Sequence, residues 1–176
     1  MANKEALREL QSRLAQRLQE ARTQDRGRSW LAVECSSRGF LFPLKEAGEI
    51  FPMAPVLPVP HTHPWFLGVS NLRGHLHGVV DLARFLGVKT HEVLREQARL
   101  VAFNSVLDIN CALLVDRLAG LRSETQLAVQ GEVGAARPPF VGARYKDESG
   151  RVWQELNLAA LAANDAFLRI VGQSQG

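Results

Sequence analysis

Two stretches of this 176-residue chain are versions of one another: FLGVSNLRGHLHGVVDLARFLG from Phe66 and FVGARYKDESGRVWQELNLAALAA from Phe140. Phe66 and Gly68 match Phe140 and Gly142, and Gly74 matches Gly150. From each turn glycine it is seven positions to Asp81 or Asn157, and Leu-Ala follows in both cases. A two-residue insertion in the second turn accounts for the offset. Upstream of each stretch the plan also repeats. SWLAVECSS, a polar turn at Ser36 to Gly39 and FLFPL are matched by ARLVAFNSV, a turn at Leu107 to Asn110 and CALLVDRLAGL. Two related units about 75 residues apart imply a duplicated, mainly β fold, each unit closing short strands into a small barrel with a cleft between the lobes.

The local pattern supports this reading. Apolar segments of strand length punctuated by glycine predict a hairpin across 36–39 and a second across Arg73-Gly74. Between them, PMAPVLPVPHTHP is too rich in proline to feed a central ladder and is expected as loop or edge. Asp81 and Asn157 are expected to cap short helical turns, with Gly87 closing the first. ETQLAVQGEVGAARPPF has the composition of a long loop. The domain plan is thus an N-terminal helix and linker over 1–28, a body over 29–163 in lobes of about 29–90 and 98–163, and a tail over 164–176.

The N-terminal segment differs in kind. Leu7, Leu10, Leu14, Leu18 and Ala21 recur at steps of three and four, which makes one stripe of an amphipathic helix that DRGRS then breaks. Such a stripe packs on its own domain or docks on a partner helix or membrane surface. Residues 1–28 hold seven Lys/Arg against four acids, and the remainder holds fourteen of each, so the whole net charge of +3 lies in this segment. The neutral body argues against an SH3-like nucleic-acid-binding module, which would need a basic face interleaved with aromatics.

Four of the five histidines, His61, His63, His75 and His77, fall within 61–77 and raise the alternative of a zinc-binding protein. A structural zinc site wants four ligands and a catalytic one three. Here two ligands would have to come from a proline-limited loop. As strand residues, His75 and His77 share one face and Leu76, Val80 and Leu82 the other, so the histidines are expected to point away from the barrel core. Neither a nucleophile elbow, a phosphate-binding glycine loop nor a carboxylate pair is recognisable, and Ser70 is the one candidate nucleophile; no enzymatic activity and no cofactor are expected. Cys35 and Cys111 lie far apart in apolar surroundings and read as reduced thiols. No run approaches the roughly 18 apolar residues of a membrane span, and the charged N-terminus lacks a secretory apolar core, so a cytoplasmic address is expected.

FPLKEAGEIFPM, WFLGVSNLRGHLHGVVDLARFLG, ALLVDRLAGL and FVGARYKDESGRVWQELNL, in this order over residues 29–163, resemble the CheW family of chemotaxis adaptors. Gly-x-x-Asn-Leu-Arg-Gly followed by VVDL is the most specific element. The added N-terminal helix and the Gly-Glu-Ile before the proline run are similar to the CheW-like adaptors of twitching-motility (type IV pilus) systems. The resemblance implies two SH3-like five-stranded β-barrel lobes in a non-enzymatic coupler. Its implied partners are the cytoplasmic tips of methyl-accepting chemoreceptors and the CheW-like regulatory domain of a CheA-type histidine kinase, at receptor arrays, without nucleic acid or membrane insertion. It places Glu49 and Arg73 at a receptor-facing cleft, with Asn71 and Gly74 in the same hairpin and Gly68 and Gly142 where backbones approach closely. Ala47, Ile50, Val115 and Leu118 match apolar positions lining the inter-lobe groove. The chain departs from the family pattern at Gly78, where relatives often have proline, at Asn157 for aspartate, and in the long charged turn 144–149.

Overall fold

The computed structural model describes residues 2–24, 27–89, 96–131 and 136–172. Helix α1 (Ala2–Gln24) precedes β1 (Ser29–Cys35), β2 (Arg38–Pro43), β3 (Ala47–Pro52), β4 (Phe66–Leu72), β5 (His75–Asp81) and α2 (Leu82–Phe85). Then come β6 (Arg99–Phe103), β7 (Cys111–Val115), β8 (Arg117–Ser123), β9 (Leu127–Val129), β10 (Val141–Asp147), β11 (Val152–Leu156), α3 (Leu158–Ala162) and α4 (Asp165–Leu168).

The strands form two sheets, ordered β8-β1-β2-β11-β10-β9 and β3-β6-β7-β5-β4. The second order maps onto the first five strands of the first: β3 on β8, β6 on β1, β7 on β2, β5 on β11 and β4 on β10. The duplication is therefore real, and it is interleaved. Hairpin β1–β2 of the first unit sits in the sheet of the second unit, and β6–β7 of the second sits in the sheet of the first. This corrects the expectation that 29–90 and 98–163 each fold into their own lobe.

The physical reason lies in the burial of these hairpins. β7 is buried at all five positions and β6 at four of five. Trp30, Ala32 and Leu41 pack inside the six-stranded lobe, and Leu100, Ala102, Ala112 and Leu114 inside the five-stranded one. The alternate residues Leu31, Val33, Phe40, Phe42, Val101, Phe103, Leu113 and Val115 share one cluster between the lobes. A strand with two apolar faces needs a neighbour on each edge and a second layer behind it. Parallel pairing of β2 with β11 (Gly39 opposite Trp153) and of β5 with β7 (Gly78 opposite Cys111) supplies this by crossing the units.

Two-residue turns join the hairpins at Ser36-Ser37 (φ 48° and 65°) and Arg73-Gly74 (φ 50° and 80°). Positive φ at both central residues matches the right-handed strand twist. Asp81 Oδ1 accepts from Arg84 N at 3.3 Å and Asn157 Oδ1 from Ala160 N at 2.9 Å, the two expected caps. Gly78 donates its N–H to Asn110 O at 2.9 Å, a bond that proline could not make. The proline-rich run forms no strand, yet Leu57 exchanges two backbone hydrogen bonds with Val69 and covers the outer edge of β4.

Three regions differ from expectation. The predicted long loop begins with a 3₁₀ turn at Glu124–Gln126 and contains β9, which adds a sixth strand to one sheet. The predicted tail is partly core: Phe167 is buried and stacked on Phe103 and Trp65, and His63 N donates to Ile170 O at 2.8 Å. The leucines of α1 are exposed, not packed on the body. Asp25 and Arg26 of the linker, the side chain of Ala21 and residues 173–176 lie outside the described residues.

Candidate functional site: two equivalent groove mouths

The Arg73-Gly74 turn holds a charged side chain over a depression in the five-stranded lobe. Asn71 Oδ1 accepts the Gly74 N–H at 2.9 Å and fixes the turn. Arg73 then reaches β3, where its Nη1 lies 2.7 Å from Glu49 Oε1, with 76% and 42% of the two side chains exposed. Below this pair runs a groove of about 570 Å³ lined by Glu49, Phe51, Arg73, His75, His77 and Asn104 among others. Gly68, at φ 137°, lies so close to Leu57 that a Cβ there would overlap the Leu57 carbonyl, so only glycine lets the proline run seal β4.

The histidines line this groove, correcting the expected orientation. His75 and His77 share their face with Val79, a member of the cluster inside the five-stranded lobe; Leu76 faces away and is 64% exposed. His77 packs against Phe51 with ring centroids 6.2 Å apart. His63 instead stacks on Trp65 at 5.3 Å, and His61 occupies a left-handed position in the loop. Among the described residues no three His, Cys, Asp or Glu side chains come together to hold a metal ion. Ser70 is buried and donates to Pro55 O at 2.8 Å. Burial pushes the thiols of Cys35 and Cys111 well up, the latter to about 12.

The apolar candidates separate. Val115 has no exposure and points into the inter-lobe cluster, so it cannot line a groove open to a partner. Ala47 and Leu118 are half-buried against the same cluster, at equivalent places on β3 and β8. Ile50 is 37% exposed. Gly142 lies in the other sheet, facing the Glu155 side chain, and its carbonyl accepts from Gln154 Nε2 at 2.8 Å.

A second mouth occupies the equivalent place on the six-stranded lobe, and the sequence reading missed it. Shifting by the 76 positions between Gly74 and Gly150 takes His75 to Arg151 and His77 to Trp153, which would have flagged it. This depression, of about 520 Å³, is lined by Glu34, Arg117, Arg122, Asp147, Arg151 and Trp153 among others. Glu34 is held by both Arg117 and Arg151. The hydrogen bond from Arg117, aided by Arg151, draws its carboxyl down to about 2 despite partial burial. Asp147 accepts from the Ser149 hydroxyl at 2.6 Å and from Trp153 Nε1 at 2.9 Å, and sits at about 2 for that reason. The Arg151 and Arg122 guanidinium carbons lie 4.5 and 5.3 Å from the Trp153 ring centroid.

Comparison with known proteins agrees with this architecture. The CheW-like domain family matches residues 29–166, and the chain belongs to that family of scaffold proteins. Protein PilI of Pseudomonas aeruginosa is 29% identical over 84% of this chain and 83% of its own. The chemotaxis protein CheW of Thermotoga maritima is 27% identical over 54% of this chain and 62% of its own. The crystal structure of the scaffolding protein TtCheW from Thermoanaerobacter tengcongensis superposes with a TM-score of 0.62 at 16% identity, over 74% of this chain and 88% of that one. Among the described residues no helix is long and apolar enough to cross a membrane.

Proposed function

We propose that this protein is a non-enzymatic adaptor coupling methyl-accepting chemoreceptors to the CheW-like regulatory domain of a CheA-type histidine kinase, in the cytoplasm at membrane-associated receptor arrays. The pathway proposed is a pilus-type, twitching-motility one, supported by the similarity to Protein PilI over most of both chains. Coupling needs no covalent chemistry. It needs contacts whose free energy differs between the kinase-on and kinase-off assemblies.

The observation that carries the reading is the Arg73–Glu49 pair across the open groove. Arg73 is a non-glycine residue in left-handed backbone, a conformation that costs about 1 kcal/mol. An exposed ion pair returns about 0 to 1 kcal/mol. Stability alone thus gives little reason for an arginine at this turn, whereas recognition of a partner does. Ile50, with the half-buried Ala47 and Leu118, offers apolar surface on the same two equivalent strands, while Gly68, Asn71, Gly74 and Gly142 set backbone shape.

The test is capture of a purified CheA-type kinase by the full chain and by Arg73→Glu. The variant places two carboxylates together and is expected to lose at least tenfold in affinity while its melting temperature is retained. A folded Arg73→Glu protein that binds the kinase and receptor like the wild type would show that the interface lies elsewhere.

A further inference from the structure

Helix α1 presents a second surface, independent of the groove. Leu7, Leu10, Leu14 and Leu18 are 57%, 56%, 53% and 65% exposed. At 3.6 residues per turn these four fall within about 80° of the circumference, narrower than the face of a helix packed on a globular core. The charges around the stripe are sorted. Arg17 lies about 20° beyond one border and Arg13 about 60° beyond it, and Lys4 and Arg8 lie about 40° and 80° beyond the other. Glu5 falls about 180° from the stripe centre and Glu9 about 140°. Among the described residues, cations therefore flank the apolar seam on both sides, and the carboxylates Glu5 and Glu9 sit further behind it. Arg13 also has Glu9 at 3.2 Å, an exposed pair in which water competes for both groups.

We infer that α1 is a docking helix for an α-helical partner whose apolar groove is bordered by carboxylates. A seam spaced by threes and fours is the geometry of helix pairing, in which flanking charges choose the partner. A second copy of this chain fits poorly. A parallel pair of copies would set Arg17 against Arg17, and an antiparallel pair would bring Arg13 beside Arg13. A lipid surface fits less well than a helix, because the seam is narrow and α1 contains no aromatic residue to enter the interface.

The test uses the full chain and a synthetic peptide of about four heptads with Leu at both core positions and Glu at the flanks, followed by fluorescence anisotropy. A second peptide carries Lys at the flanks. Binding is expected for the acidic peptide only, weakened at least tenfold by Leu10→Gln/Leu14→Gln and also by Arg13→Gln/Arg17→Gln, with the melting temperature unchanged in both variants. Arg73→Glu is expected to leave this binding intact, which separates the helix from the groove. Four outcomes overturn the inference: equal binding of both peptides, acidic-peptide binding indifferent to the leucine pair, leucine-dependent binding to phosphatidylglycerol vesicles without peptide binding, and a leucine-dependent dimer of the chain by sedimentation. A lowered melting temperature in Leu10→Gln/Leu14→Gln would also overturn it, by showing that the stripe packs on the body.

Discussion

The two mouths have the same backbone and opposite chemistry. On the six-stranded lobe, Glu34 is shared by two arginines, Asp147 collects a hydroxyl and an indole N–H, and two guanidinium groups lie over a buried Trp153. On the five-stranded lobe, one exposed ion pair spans a groove whose floor holds two histidines and a phenylalanine. Duplication supplied two equivalent depressions of similar volume; side chains tied the charges of one into a network and left the other with a single exposed pair. A surface that satisfies its own charges gives a partner little to gain, because binding must first break those contacts.

Removing the large side chain should separate the mouths most. Trp153 is 1% exposed, and Trp153→Ala is expected to cost about 3–5 kcal/mol in urea unfolding. His77→Ala, at the equivalent place, is expected to cost under about 1 kcal/mol, in the range of substitutions away from the core. Comparable losses at both sites would remove the distinction between a mouth built on a buried aromatic and an open one. Glu34→Gln is expected to cost about 1 kcal/mol, the upper end for an ion pair that water still reaches.

That substitution also has a pH signature. The Glu34 carboxyl lies at about 2 in the folded chain against an ordinary 4.5. Its stabilising contribution is therefore complete above about pH 4.5 and lost as pH falls toward 2. Melting followed across this interval should fall less steeply in Glu34→Gln than in the wild type, and equal slopes would mean that the arginines do not hold the carboxylate. The smallest expected effect is at the open mouth. Arg73→Gly relieves the left-handed backbone and should leave stability unchanged or raise it by up to about 1 kcal/mol, while kinase or receptor affinity falls. Calorimetry paired with a binding assay checks both halves, and a clear loss of stability would mean that the Arg73 pair serves the fold.

The sequence disclosed what depends on local chemistry. The turn at Arg73-Gly74, the caps Asp81 and Asn157 and the hairpins all follow from turn residues and apolar spacing. It concealed what depends on long-range partners. An apolar run such as CALLV shows that β7 is buried on both faces, but not that β5 runs parallel beside it. The same limit hid Glu34, whose arginines lie 83 and 117 residues away. Alternation along HLHGVVD cannot tell on which side His75 and His77 lie, because β5 has two apolar faces, one toward the barrel and one between the lobes.

The exchange of hairpins between the units has a consequence for how the chain is made. Gly39 cannot meet Trp153, its partner across the β2–β11 ladder, until the last strand has been synthesised. The first half therefore leaves the ribosome without a lobe it can complete, and contacts of such long range slow folding. Neither half is therefore expected to fold on its own, and one cooperative transition is expected to join the two mouths. The same swap also suits a symmetric dimer of single units, so a chain with only one repeat could reach this architecture by pairing with its own copy.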